Sequence, residues 1–297
     1  SFMETLQRNI VRASDYLYDF TDGQFALGTV TVRQSYEGWD DADIKLHTSN
    51  VLHPNATIGG IVVTDTVDIE PTVNVTYTPG SIFMGSYWNR FGTPPNQVVT
   101  YNGVPVTQDE MVDDWSIALA HEMSHFLLFL FDTYTDKNGV SSDALAAQCT
   151  GTAMGNAYAP SNQAFVFDQT AWDSHCGETE AYFRLHGRTE WATIAGWYNF
   201  AVIPTEPALG SFPPVPLTNV VFVSPAVTPE PLASQVPLDA VDPVVPGEPG
   251  VEEGVVAVDQ LEQTAVVPQD VLERHLGLLP QGPAQLPVQL ELPEPAE

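Results

Sequence analysis

The pentapeptide His121-Glu122-Met123-Ser124-His125 places two imidazoles and a carboxylate within five positions. Residues four apart share one face of an α-helix, so both imidazoles can reach a single ion. Glu122, beside the first of them, can hydrogen-bond a water on that ion. The ion lowers the pKa of the water toward neutrality, and the carboxylate takes its proton as it attacks a carbonyl. This is the chemistry of a zinc-dependent hydrolase. A histidine pair on a buried helix also needs polar partners, because leaving such groups unsatisfied is costly.

The third ligand is less local. Asp132 follows His125 by seven residues. Were the helix to run on, it would lie about 10 Å along the axis from His125, at ~1.5 Å per residue. A zinc–oxygen bond is about 2 Å, so the helix must end and the chain must turn back near Leu128 to Leu130. Glycine makes such turns without steric penalty, yet residues 126–131 read Phe-Leu-Leu-Phe-Leu-Phe. The turn must therefore be made without glycine, or at a penalty of about 1–2 kcal/mol. In the competing assignment Asp132 ends the helix on the surface. Glu178 or Glu180, in the stretch Gly177-Glu178-Thr179-Glu180, then completes the site.

Residues 121–134, HEMSHFLLFLFDTY, resemble the HExxHxxxGxxD signature of the metalloprotease domain of calcium-activated chloride channel regulators and its bacterial secreted relatives. The resemblance implies a metzincin-like fold in which His121, His125 and Asp132 bind one zinc ion and Glu122 acts as base. The family glycine falls at Phe129, and the usual third histidine of metzincins would fall at Phe131. Gly151-Thr152-Ala153-Met154-Gly155 resembles the Met-turn beneath the metal in such enzymes, which implies a supporting role for Met154. The likeness spans roughly residues 1–200 and includes the region of Cys176 and residues 189–194.

Around these motifs the coarse pattern is that of an α/β (α+β) peptidase. Leu6 to Phe20 reads as an amphipathic helix with Ile10, Ala13, Leu17 and Phe20 on one face. The motif helix has a capping-box signature at Thr107 and Glu110, and Trp115, Ala118, Leu119, Met123, Phe126 and Leu130 form its apolar face. Phe25 to Arg33, Asp43 to His47 and Thr72 to Thr78 read as strands. Ser81 to Asn89 is the expected edge strand along which an extended substrate would lie. His47, His53, His175 and His186 read as surface or structural residues.

Composition changes sharply near residue 200. Eighteen of the 25 prolines lie beyond it, with fourteen acids and the single basic residue Arg274. That composition favours extended or irregular chain. Residues 1–200 therefore form the expected catalytic domain, and residues 201–297 an acidic Pro-rich tail or linker. Within the tail, residues 218–223 read as a strand and 267–279 as a short helix. The net charge of −29 argues against nucleic acid and against anionic membrane surfaces as partners. Asp-rich stretches such as residues 39–43 fit calcium no better than they fit a polar turn.

Cys149 and Cys176 flank the Met-turn region; in an exported protein they form one disulfide, the favoured reading, and in the cytosol they are free thiols or metal ligands. No apolar run reaches transmembrane length, and no signal peptide precedes the first helix pattern; the chain reads as a mature or trimmed fragment. Together these readings predict a secreted, monomeric zinc endopeptidase with a twisted mixed sheet, an active-site helix and a backing helix. Its partner is a protein or peptide substrate. The alternative is a surface or interaction protein whose protease-like domain is structural or self-processing, motivated by the acidic tail.

Overall fold

Ile10, Ala13, Leu17 and Phe20 recur at helical spacing and are all fully buried, making one stripe of α1 (Phe2–Phe20) a core face. The computed structural model describes residues 2–34, 38–48, 52–90, 99–101, 104–106, 108–206, 212–213, 215–223 and 284–291. These all belong to one compact unit made of residues 1–225 and 265–297.

The strands among the described residues are β1 (Phe25–Arg33), β2 (Ile44–His47), β3 (Asn55–Ala56), β4 (Thr66–Ile69), β5 (Asn74–Tyr77), β6 (Ile82–Gly85), β7 (Val99–Tyr101), β8 (Val104–Val106), β9 (Asn219–Phe222) and β10 (Ala284–Glu291). Six of them form the main sheet in the order β3-β6-β2-β10-β1-β9; β4 pairs with β5 and β7 with β8 in two small antiparallel sheets. The main sheet is parallel except for β3, which runs antiparallel to β6. The remaining helices are α2 (Gln108–Leu128), α3 (Asp143–Gln148), α4 (Gln169–His175), α5 (Glu180–Arg184) and α6 (Glu190–Trp197). The fold is thus mixed α and β, with six α-helices and a mixed sheet among the described residues.

The strand expected at residues 81–89 is shorter, and it is not the sheet edge. β6 is flanked by β2 and β3, because Asn55 and Ala56 pair with Phe83 and Ile82. The edge is β3. Two strands come from beyond residue 200: β9, within the expected stretch 218–223, and β10, which the proline content does not suggest. Pro287 is accommodated because the register of β10 on β1 shifts at that point, where proline has no N–H to donate. The helix expected at 267–279 lies outside the described residues, as does the helix cap at Thr107.

α2 is buried on nearly all sides from Asp114 onward. One flank packs on α1, where the Ser116 hydroxyl donates to the Asn9 carbonyl at 3.2 Å and Arg12 pairs with Asp113 at 3.3 Å. α1 is therefore the backing helix. Trp115 ties α2 to the sheet by donating its indole N–H to the Gly85 carbonyl at 2.9 Å. These contacts fix the rotation of α2 and hence the direction in which His121 and His125 point.

Candidate metal centre

The last carbonyls of a helix have no partner within it, and α2 finds partners from distant segments. The N–H groups of Gly59 and Ile61 donate to the carbonyls of His125 and Phe126 at 2.9 and 3.4 Å, and the Tyr198 hydroxyl donates to Leu127 at 2.5 Å. The helix then stops at Phe129, which takes a left-handed conformation with φ +62°. This is the glycine-free turn that the spacing of Asp132 requires. Its backbone strain is offset by packing: the fully buried Phe129 ring stacks on Trp197 at 4.1 Å and meets Tyr77 edge-on at 5.1 Å. Room for the ring comes from Gly59, where a β-carbon would sit 2.6 Å from Phe129.

The turn has two products. It carries Asp132 back to the helix, so that its Oδ1 lies 3.2 Å from His121 Nε2 and 3.3 Å from His125 Nε2. It also presents the Leu130 carbonyl to His125 Nδ1 at 2.7 Å. His121 Nδ1 donates in the same way to the Ala153 carbonyl at 2.8 Å. With both Nδ1 atoms carrying the proton, both Nε2 lone pairs face the carboxylate oxygen, which is buried and has no hydrogen-bond donor. Three lone-pair atoms so arranged suit a cation, or protons on the imidazoles. Two ligands with bonds of ~2.0–2.1 Å at a tetrahedral angle stand about 3.3 Å apart, close to the 3.2 and 3.3 Å between Asp132 Oδ1 and each imidazole. The ligand atoms of His121, His125 and Asp132 all lie within 4.8 Å of one another and could hold a metal ion.

The alternative ligands stand elsewhere. Glu178 lines a separate cleft with Glu70, Lys137 and His186, and Glu180 accepts from the Thr135 hydroxyl and pairs with Arg184 at 3.4 Å. Met154 is fully buried in the loop beneath His121, next to the Ala153 carbonyl that orients it. Among the other histidines, His175 is exposed, His186 is half-buried 3.5 Å from Asp68, and His53 lies on the rim of the metal-side cleft.

Glu122 is buried and lines a cavity of about 520 Å³ together with His121, Trp88, Arg90, Tyr134 and Tyr158. Burial pushes its carboxyl up, partly opposed by the two imidazoles. Tyr134 contacts Asp132, and burial together with that carboxylate pushes its phenol up, so it stays a protonated donor facing the cleft. Arg90 lies over the Tyr158 ring at 4.7 Å and pairs with the buried Asp114 at 3.2 Å. None of these cleft residues is visible as a motif; Tyr134 alone carries a signal, two positions after Asp132.

Without metal, protons take the place of the cation. Burial works against a charged His125, but the charge and hydrogen bond of Asp132 outweigh it and hold the imidazole at about 9. His121 shifts in the same direction, and Asp132 is held well below the usual carboxylate range by the two imidazoles, against the effect of burial. Glu190 is pushed up to about 7 by burial, against its bonds to Thr152 and Val166. A raised histidine contributes stability below about pH 6.5 that is lost as pH rises through its folded value, and a raised carboxyl loses stability upward from its ordinary value of about 4.5. Asp132 contributes fully above its ordinary value and adds no slope there. The metal-free protein is therefore expected to lose stability from about pH 4.5 to pH 9. Added zinc, which displaces the imidazole protons, should raise the melting temperature more at pH 9 than at pH 6.5. Melting curves with zinc and with excess chelator check this; an increment that does not grow with pH contradicts it.

The expected disulfide is present. Cys149 and Cys176 are bonded across a sequence separation of 27, joining the end of α3 to the end of α4 beside the Met154 loop. Replacing both by serine is expected to lower stability by about 3 kcal/mol, mainly by freeing the unfolded chain. Thermal unfolding measures this, and an unchanged midpoint would remove the bond from the list of stabilising features. No family profile, curated protein or solved structure matches the chain.

Proposed function

We propose that the protein is a secreted, metzincin-like zinc endopeptidase, binding one zinc ion per chain through His121, His125 and Asp132. The observation that carries this reading is the convergence of two Nε2 lone pairs and an undonated Asp132 Oδ1, beside a buried glutamate at the wall of a cleft. When bound, zinc supplies Lewis acidity, acidifying a water and polarising a carbonyl. The chain supplies the rest. Glu122 accepts the proton of the attacking water and passes it to the leaving amine. The Tyr134 phenol, which donates to Asp132 in the metal-free site, turns its proton to the oxygen on which charge develops. Trp88 and Tyr158, stacked at 6.3 Å, form an apolar wall for substrate side chains.

The resemblance of residues 121–134 and 151–155 to calcium-activated chloride channel regulator peptidases supports the same reading. The disulfide fits an extracellular location, and no helix among the described residues is long and apolar enough to cross a membrane. Metal analysis coupled to peptide-library cleavage tests the proposal. About one zinc per chain and cleavage of internal peptide bonds are expected. Absence of zinc would overturn it, and self-cleavage without peptide turnover would favour the self-processing alternative.

A further inference from the structure

Glu190 is a completely buried acid that the peptidase chemistry does not use. It stands at the start of α6, just after the N-cap Thr189. An acid there can favour the helix dipole, but Glu190 bonds no N–H of α6. Its carboxylate accepts the Thr152 hydroxyl at 2.6 Å and the Val166 N–H at 2.7 Å. A buried carboxylate is costly unless donors of this kind hold it.

Thr152 opens the loop beneath His121. With its proton directed to Glu190, the Thr152 oxygen accepts the Met154 N–H at 3.0 Å. Ala153 between them is tied by its N–H to the Ala164 carbonyl at 2.8 Å, and its own carbonyl receives His121 Nδ1. The Met154 carbonyl accepts the N–H of Thr133, the neighbour of Asp132, at 3.0 Å. The loop thus touches both a histidine and the segment of the third ligand, and Glu190 is what its first residue is fastened to.

We propose that Glu190 is a positioning residue of the metal centre: through the Thr152 hydroxyl it fixes residues 152–154, whose carbonyls orient His121 and hold the segment carrying Asp132. This rests on the zinc-site reading above. Glu190→Gln keeps the shape but leaves one of the two donors facing an amide NH₂. Zinc affinity of the full chain, measured by competition with a chromophoric chelator, is expected to fall about 10–100-fold, as for partners that orient metal-binding histidines. Thr152→Val should lose as much, whereas Thr152→Ser, which keeps the hydroxyl, should retain wild-type affinity. The double variant Glu190→Gln/Thr152→Val should bind no more weakly than the weaker single one, because both cut the same link. Wild-type affinity in either Glu190→Gln or Thr152→Val, or additive losses in the double variant, overturns the proposal. If Glu190→Gln does not fold, the Thr152 pair decides by itself. A wild-type chain that binds no zinc overturns the metal reading instead, so the two failures are distinct.

Discussion

Glu122→Gln is expected to lower peptide hydrolysis by about 10²–10⁴-fold, the range a positioned general base contributes. Glutamine keeps the size of the side chain and its place on the cleft wall, so substrate should still bind and the loss should fall on kcat rather than on KM. Zinc content should stay at the wild-type value, because Glu122 is not among the three converging ligand atoms. Folding should not suffer either. Burial already disfavours the charged carboxylate of Glu122, so a neutral amide of the same shape removes an unfavourable desolvation. Metal analysis, melting curves and kcat on one cleaved peptide separate these outcomes. Activity surviving the change would falsify the mechanism, and loss of zinc would mean that Glu122 is a ligand rather than the base.

At Phe129 the order of stability should be wild type, then Phe129→Gly, then Phe129→Ala. Removing the ring deletes its contacts with Trp197 and Tyr77, a loss of about 3–5 kcal/mol for a fully buried phenylalanine. Glycine recovers about 1–2 kcal/mol of that, because φ +62° costs it nothing. The net change for Phe129→Gly is thus about 1–4 kcal/mol. Alanine loses the ring and keeps the strain, so it should be the worse of the two by about 1–2 kcal/mol. Within a helix the preference is reversed, alanine being better than glycine by about 1 kcal/mol. Denaturant midpoints of the two variants therefore report the local backbone by the sign of their difference. Alanine proving the more stable would mean that residue 129 is helical in solution, and Asp132 would then be carried away from the histidines.

Much of the candidate site was legible because it is local. His121, Glu122 and His125 share a helix face by spacing alone, and the reach of a zinc–oxygen bond demanded a turn before Asp132 that the backbone makes at Phe129. The amphipathic stripe of α1 and the strands at Phe25–Arg33 and Ile44–His47 follow from periodicity in the same way. The cleft residues were not legible. Trp88 with Arg90, Tyr134 and Tyr158 come from three segments that only tertiary packing joins, and of them only Tyr134 stands near the motif. Glu190 was hidden for another reason: an acid in the first turn of a helix looks like ordinary charge on an exposed end, and only its complete burial marks it out. The edge strand was misplaced because Asn55-Ala56, the pair that displaces it, is too short and too polar to read as a strand.

The relation between Phe129 and Gly59 also bears on how such a chain can vary. Where a glycine would let the turn form by itself, this protein has an aromatic ring, and the need for a glycine has moved seventy positions upstream, to the residue whose β-carbon would strike that ring. Neither position can drift alone: a side chain at Gly59 collides with Phe129, and loss of Phe129 leaves Gly59 lining a void. Packing couples the two positions. Gly59 is favoured twice over, by its own φ of +64° and by the rings it faces, so a relative with an aromatic turn residue should keep that glycine, and a signature written only around the helix will pass over it.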